Sequence, residues 1–408
     1  MWRLRGWDRQ VKQTVEKITV PLANRRSFPI LQCVSGVELE PEHPCFSQIS
    51  LLLPAEGTAW LTHCGDGEGG KERGMVTIKD IAREVGVSPS TVSRALSDSP
   101  LISEKTRQSV KEVAQKLGYE RNELARGLVM GSSGAVGLVV PDITNPFFAD
   151  VARGVGEIAH HFGCGVILCN TAEKADRELS YIRLLRRKRV DGLILTSVTV
   201  EDPYLQELAQ SKTPFILVSR LSRSVDAPYV TVDDRTGARL AVEHMIELGH
   251  ERIGFIGGPP DVQPSRDRMA AYREALREHG LAEKEEWMCY ADFTQAAGRT
   301  AGRRMLSLSV PPSAIFAAND VTALGVLEVA EELGLKIPDD LSLVGYDDII
   351  YASLPRIQLT TVAQPAFEMG RIAAEWLLSS IEGHKSYPLR CVLNPHLVVR
   401  CSTAPPAS

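Results

Sequence analysis

A chain of 408 residues has room for two or three domains and a large core. Its composition, 44% hydrophobic and 24% charged, is that of an ordinary globular protein, and no apolar run approaches the roughly 18 residues that cross a bilayer. A net charge of −5 excludes a chain that is basic throughout, yet an acidic remainder can hide a small nucleic-acid-reading unit.

Residues 1–74 mix Pro, Gly and isolated Trp around one strand-like patch, Ile49–Pro54. Met1–Gln10 lacks the charged-then-apolar layout of a secretory signal, and no small-residue cleavage site follows. From Thr77 the pattern sharpens. Thr77 can cap a helix, with Asp80 three residues on. Ile78, Ile81, Ala82 and Val85 then share one apolar face at i, i+3, i+4 and i+7. Gly86 can end that helix in the left-handed conformation. Ser88 as N-cap and Pro89 at the first helical position begin a second, which is too short and polar to stand alone. Two helices joined by a Gly-containing turn form the unit whose second helix enters the DNA major groove. Its outward residues are Pro89, Ser90, Thr91, Ser93 and Arg94. Small hydroxyls there can bond phosphates, and Arg94 can present a two-point fork to guanine. Together with the cap residues Thr77 and Ser88, these are the candidate DNA contacts. The same spacing also describes a plain three-helix module with a solvated arginine. A third helix, Ser103–Leu117, adds the stripe Val110, Val113, Ala114 and Leu117 and ends at Gly118-Tyr119. Met75 to Gly134 holds nine Lys/Arg against seven Asp/Glu, so even this part is only mildly basic.

TIKDIAREVGVSPSTVSRAL, followed by ISEKTRQSVKEVAQKLGY, resembles the DNA-binding head of the lactose-repressor (LacI/GalR) family of bacterial transcription regulators. The resemblance runs from Thr77 to about Thr403. On it the head begins at Met75, directly after Lys71–Gly74, which can be encoded by the purine-rich AAGGAGAGGGGN. The expectation is that Met75 is the true initiator and 1–74 a translated leader. Arg121–Met130 is helix-prone but too short to be stable by itself. In the family the matching segment is a hinge helix that folds on operator DNA, two copies side by side in the minor groove. The resemblance then implies Asn122 as its cap, a small Ala125 that lets the pair sit deep, and Leu128 as an apolar wedge at the operator centre. The plain alternative is an interdomain linker that happens to be helical. Gly131–Gly134 reads as a flexible joint.

From Ala135 apolar runs alternate with amphipathic helices. Strands are expected at 135–141, 164–170, 191–197 and 214–220, then at 252–258, 313–320 and 341–348. Helices are expected at 147–163, 175–190, about 265–280 and 321–334. Continuous β-branched and leucine runs indicate strands covered on both faces, hence two doubly wound parallel sheets. Two such sheets in tandem describe a two-lobed periplasmic-binding-protein-like core behind an all-α head. The expected division is 1–74 outside the family pattern, 75–121 head, 122–134 hinge helix and linker, and 135–404 effector-binding and dimerisation core.

Ligands of open α/β sheets sit beyond the carboxyl ends of the strands. Those ends carry Phe147, Phe148, Arg220, Arg268, Phe293, Asn319 and Asp347, which by the resemblance match the family's effector-contact positions. Rings stack on sugar C–H faces, while Arg, Asn and Asp bond hydroxyls, so a sugar or sugar derivative is the expected effector. Asp348 and Arg266 read better as an interlobe salt bridge or a helix cap. An enzyme of similar fold is the rival, but no GxxxxGK followed by Ser or Thr occurs and no GxSxG elbow. GFIGGPPD is broken by prolines where a dinucleotide-binding helix should begin. No cofactor or metal is implied: His160 and His161 are adjacent and point apart. The eight cysteines (Cys33, Cys45, Cys64, Cys164, Cys169, Cys289, Cys391, Cys401) show no CxxC pairing and suit a reducing cytoplasm. A secreted sugar-binding protein of the same fold is disfavoured by the head and by the absence of a signal. The expected molecule is a ligand-responsive repressor that binds double-stranded operator DNA and no membrane. Family tetramers carry a leucine-heptad tail, whereas this chain runs out in LVVRCSTAPPAS. A homodimer is therefore expected, resting on helices around Ala149–His161 and Thr361–Ile381.

Overall fold

The computed structural model describes residues 76–119, 132–384 and 388–407. Asn122, Ala125, Leu128 and the whole of 1–75 lie outside the described residues. The head is three helices, α1 (Ile78–Val85), α2 (Pro89–Leu96) and α3 (Glu104–Leu117). Thr77 gives its backbone N–H to Asp80 at 3.0 Å and its hydroxyl at 2.6 Å, which closes the first turn of α1. Gly86 ends α1 at φ +75°, and the Ser88 hydroxyl accepts the Thr91 N–H at 3.1 Å to start α2. Ile81, Val92, Ala95 and Val110 are fully buried where the three helices meet, so the apolar spacing read from the sequence becomes the head's core.

The rest of the described chain makes two lobes. In the first, β1 (Ala135–Val140), β2 (Gly165–Asn170), β3 (Gly192–Leu195), β4 (Phe215–Val218), β5 (Tyr229–Val232) and β11 (Arg390–Leu393) pair in the order β11-β5-β4-β3-β1-β2. Helices α4 (Pro146–His161) and α11 (Ala366–Ile381) cover one face; α5 (Ala175–Arg187) and α6 (Pro203–Ala209) cover the other. The second lobe repeats the plan with β6 (Ile253–Gly257), β7 (Met288–Tyr290), β8 (Ala314–Ala317), β9 (Ser342–Asp347), β10 (Thr360–Ala363) and β12 (His396–Val398), ordered β12-β10-β9-β8-β6-β7. There α7 (Asp234–Glu247) and α8 (Gln263–Glu278) lie on one face, and α9 (Gln295–Leu306) and α10 (Asp320–Glu332) on the other. The chain changes lobes between β5 and α7, between β10 and α11, and between β11 and β12. All recorded strand pairs are parallel except β10 with β12, so the second sheet carries one antiparallel edge.

Four expectations need correction. β2 is an edge strand with Ile167 and Leu168 about two-fifths exposed, because no strand lies beyond it; it is not buried on both faces. Thr361–Ala363 is sheet and not helix, since β10 pairs with β9 on one side and β12 on the other. The helices expected to offer spare apolar faces for dimerisation turn those faces on each other: α4 and α11 cross so closely that glycines mediate the contact. Finally, the Gly131–Gly134 joint is tied down over its described part. Asp191, just before β3, accepts the Ser132 hydroxyl at 2.7 Å, the Ser133 N–H at 2.6 Å and the Gly134 N–H at 2.8 Å.

At the α4–α11 crossing a Cβ on Gly154 would lie 2.1 Å from the Phe367 carbonyl oxygen, and one on Gly370 the same distance from that of Val151. Ala is the better helix former by about 1 kcal/mol, but backbone against a methyl cannot give way cheaply. Gly154→Ala is therefore expected to destabilise the core by about 1–3 kcal/mol net, as overpacking does. Urea denaturation measures this, and a raised midpoint would show that the crossing relaxes freely.

Candidate functional site

On the head, Pro89, Ser90, Ser93 and Arg94 of α2 are exposed and Thr91 is half-buried, while Val92 and Ala95 face inward. Ser88 Oγ lies 2.8 Å from both Ser90 Oγ and Thr91 Oγ1, so the hydroxyls at the start of α2 hold one another in one cluster. Thr77 is exposed at the start of α1. The candidate DNA contacts within the described residues thus fall at the first turns of α1 and α2 and along the outer face of α2.

The expected cleft residues gather at the carboxyl ends of the strands of both lobes. Phe147 and Phe148 open α4 after β1, buried and set edge to face with ring centroids 5.0 Å apart. Arg220, two residues beyond β4, is buried; its guanidinium carbon lies 6.0 Å from the Phe148 ring centroid and 5.8 Å from that of Phe293 in the other lobe. Phe293 is seated on Gly258, where a Cβ would strike its ring. Asn319 caps α10 by accepting the Thr322 N–H at 2.8 Å and donates to the Phe293 carbonyl at 3.3 Å. Asp347 ends β9 with φ +116°, followed by Asp348 at +56°. Such non-glycine strain is stored where the surrounding structure insists on it. Burial pushes the Asp347 carboxyl up to about 7, with Arg268 and Gln364 pulling it back. Asp348 pairs with Arg400 at 2.7 Å, a salt bridge within the second lobe and not the interlobe one expected.

Arg268 is placed among them but is not free. Its Nε and Nη2 reach Asp234 Oδ1 at 2.8 and 2.6 Å, Nη1 donates to the Ala318 carbonyl, and the group stacks 3.6 Å over the Tyr346 ring. Arg220 is likewise engaged by Glu173, through Nη1 at 2.8 Å and Nη2 at 2.6 Å. Sequence reasoning missed Glu173 and Asp234, and also Gln364, whose amide donates to Asp347 at 2.6 Å. A cavity of about 260 Å³ lies between Phe147 and the other lobe's Asp347, Ile349 and Gln364. Asp320, fully buried, accepts from Thr361 Oγ1 at 2.6 Å and from the Ile349 N–H at 2.8 Å. Burial, with Asp347 nearby, holds its pKa well above the carboxylate range. Among the described residues no cluster of three His, Cys, Asp or Glu is placed to hold a metal, and no helix is long and apolar enough to cross a membrane.

A helix-turn-helix reader and a two-lobed ligand-binding core on one chain define a class, the ligand-responsive DNA-binding regulators. Residues 77–122 match the family described as bacterial regulatory proteins, lacI family, and residues 242–403 match the periplasmic binding protein-like domain. The ribose operon repressor of Halalkalibacterium halodurans is 36% identical over 329 residues, covering 81% of this chain and 97% of that protein. The lac repressor dimer bound to operator and an anti-inducer aligns with a TM-score of 0.73 at 27% identity, over 81% of this chain and 99% of that one. A family regulator from Enterococcus faecium with bound ribose aligns with a TM-score of 0.60 at 32% identity, over 66% and 99% of the two chains. The chain belongs to the lacI family of bacterial regulatory proteins. It is a transcription regulator and not an enzyme.

Behind Arg220 sits Glu178, in the first turn of α5 and 4% exposed. Burial, then the nearby Asp202 carboxylate, push it up to about 7, against the pull of Ser197 and Arg220. The folded state holds this proton more tightly than the unfolded chain does. Stability is therefore lost as pH rises from about 4.5, and the loss is complete above about 7. Glu178→Gln, which cannot ionise, is expected to lose less thermal stability than the parent chain between pH 5 and pH 8. Equal losses in melting temperature across that range would show that Glu178 carries no such cost.

Proposed function

We propose that the chain is a cytoplasmic repressor that acts as a homodimer, with its hold on a palindromic operator controlled by a sugar in the interlobe cleft. The head spans 75–121, a hinge helix and linker 122–134, and the effector-binding and dimerisation core 135–404. Two heads related by a twofold axis read the two half-sites. The conjunction carries this reading: an outward Arg94 on α2 and, on the same chain, a cleft lined by three rings, an amide and carboxyls at strand ends. Phe147, Phe148 and Phe293 stack on sugar C–H faces, while Arg220, Asn319 and Asp347 bond hydroxyls, with Arg268 behind them. The ribose named for two relatives makes a simple sugar the first class to try. The ligand acts through its different affinity for two arrangements of the lobes.

The test is selection of an operator from random DNA, followed by fluorescence anisotropy with and without sugars. Turnover of a sugar, or no selected motif, would sink the reading. Arg94→Ala is expected to cost about 1–3 kcal/mol per half-site and to relax selectivity at one guanine; an unchanged selected motif would remove Arg94 from base reading. Leu128→Ala is expected to reduce operator bending in a gel-phasing assay while leaving sugar affinity alone. An unaltered bend would rule out a wedge at Leu128, with Asn122 and Ala125 then no more than linker residues.

A further inference from the structure

Both guanidiniums of the cleft are already paired. Arg220 is 3% exposed and gives Nη1 and Nη2 to separate oxygens of Glu173 at 2.8 and 2.6 Å. This is the planar two-point geometry with which arginine otherwise takes a phosphate or carboxylate ligand. Arg268 spends its Nε and Nη2 on Asp234 and its Nη1 on the Ala318 carbonyl. Around these two cations stand the carboxyls of Glu173, Glu178, Asp202, Asp234, Asp320 and Asp347, the last five of them buried. An anionic group entering here meets two guanidiniums whose forks are already engaged by carboxylates. A neutral hydroxyl meets a group that can serve it: Thr171 Oγ1, at the end of β2, is buried without a hydrogen-bond partner.

Glu173 is held in place for this pairing at some cost. Ala172 and Glu173 both take left-handed backbone angles, φ +52° and +57°, directly after β2, and the Glu173 N–H is bonded to the Pro141 carbonyl at 3.3 Å. Two consecutive non-glycine residues in that region are uncommon and persist where the fold insists on them. Here they bring a carboxylate from the end of one strand to the arginine at the end of another, 47 residues along the chain.

We infer that Glu173 is a specificity-determining residue: by occupying the fork of Arg220 it restricts the cleft to uncharged polyhydroxyl ligands and shuts out their phosphorylated counterparts. This rests on the reading of the cleft as a sugar site. The experiment is isothermal titration of the full chain against matched pairs: D-ribose with D-ribose 5-phosphate, D-glucose with D-glucose 6-phosphate, and D-fructose with D-fructose 1-phosphate. A parent sugar should bind more tightly than its phosphate by on the order of 100-fold, the scale of a desolvated charge left without a partner. In Glu173→Gln that ratio should shrink by about tenfold or more, because the phosphate gains affinity once Arg220 is released. A phosphate that binds the parent chain as tightly as its sugar overturns the inference while leaving the sugar site standing. An unchanged ratio in a folded Glu173→Gln protein overturns the role of Glu173. Failure of every sugar and every phosphate to bind removes the sugar site and the inference with it. The ratio in the parent chain decides the matter even where the variant does not fold.

Discussion

The ion pair between Arg268 and Asp234 holds the functional end of the second lobe together. Asp234 is the first residue of α7, met just after the chain crosses from the other lobe, and Arg268 lies in the second turn of α8. Their contact closes the crossover against the strand ends, and the remaining donor of Arg268 reaches Ala318 just past β8. Burying two charges is costly unless geometry and further hydrogen bonds compensate. Here the Tyr346 ring lies flat under the guanidinium and Asp347 stands close enough to feel its charge. Removing either partner would leave the other charge buried and unmatched, so the pair is a fixed point around which Asn319, Asp347 and Gln364 are arranged.

The two lobes are built on one plan and solve the same packing problem in the same way. In the first, α4 and α11 meet through Gly154 and Gly370, so a helix that opens at the cleft mouth is locked to one arriving through the second crossover. In the second lobe α9 and α10 meet through Gly298 and Gly325, again with backbone touching backbone. Close helix contacts of this kind are stiff, because no side chain lies between the helices to deform. Motion between lobes is thereby left to the three crossovers.

Much of this was legible in the sequence, and the exceptions have physical reasons. The head could be read residue by residue because its caps, its left-handed Gly86 and its apolar spacing are all local. The strands stood out because buried parallel strands are continuous β-branched runs, as in Ala135–Val140 and Phe215–Val218. Helices α7 and α9 were not read. Their buried faces mix small residues with few large ones, Gly237, Ala238 and Ala241 beside Val242 and Met245 in one and Gly298, Ala301 and Gly302 beside Met305 in the other, which weakens the apolar contrast that marks the other helices. The arginines of the cleft were found but their partners were not: Glu173 and Asp234 lie 47 and 34 residues away, and only the fold brings them together. Solvent exposure of β2 was also invisible, since an edge strand and an interior one can carry the same residues.

The carboxylate of Asp191 has a mechanical meaning. A Gly-Ser-Ser-Gly run invites the picture of a slack tether, but three of its four residues are bonded to one side chain at the foot of β3. Three residues of extended chain span about 10 Å, and that much play is taken out between the lobe and whatever precedes Ser132. A tilt of the first sheet is therefore delivered undiminished to the point where the chain leaves it, as by a lever with no lost motion at its pivot.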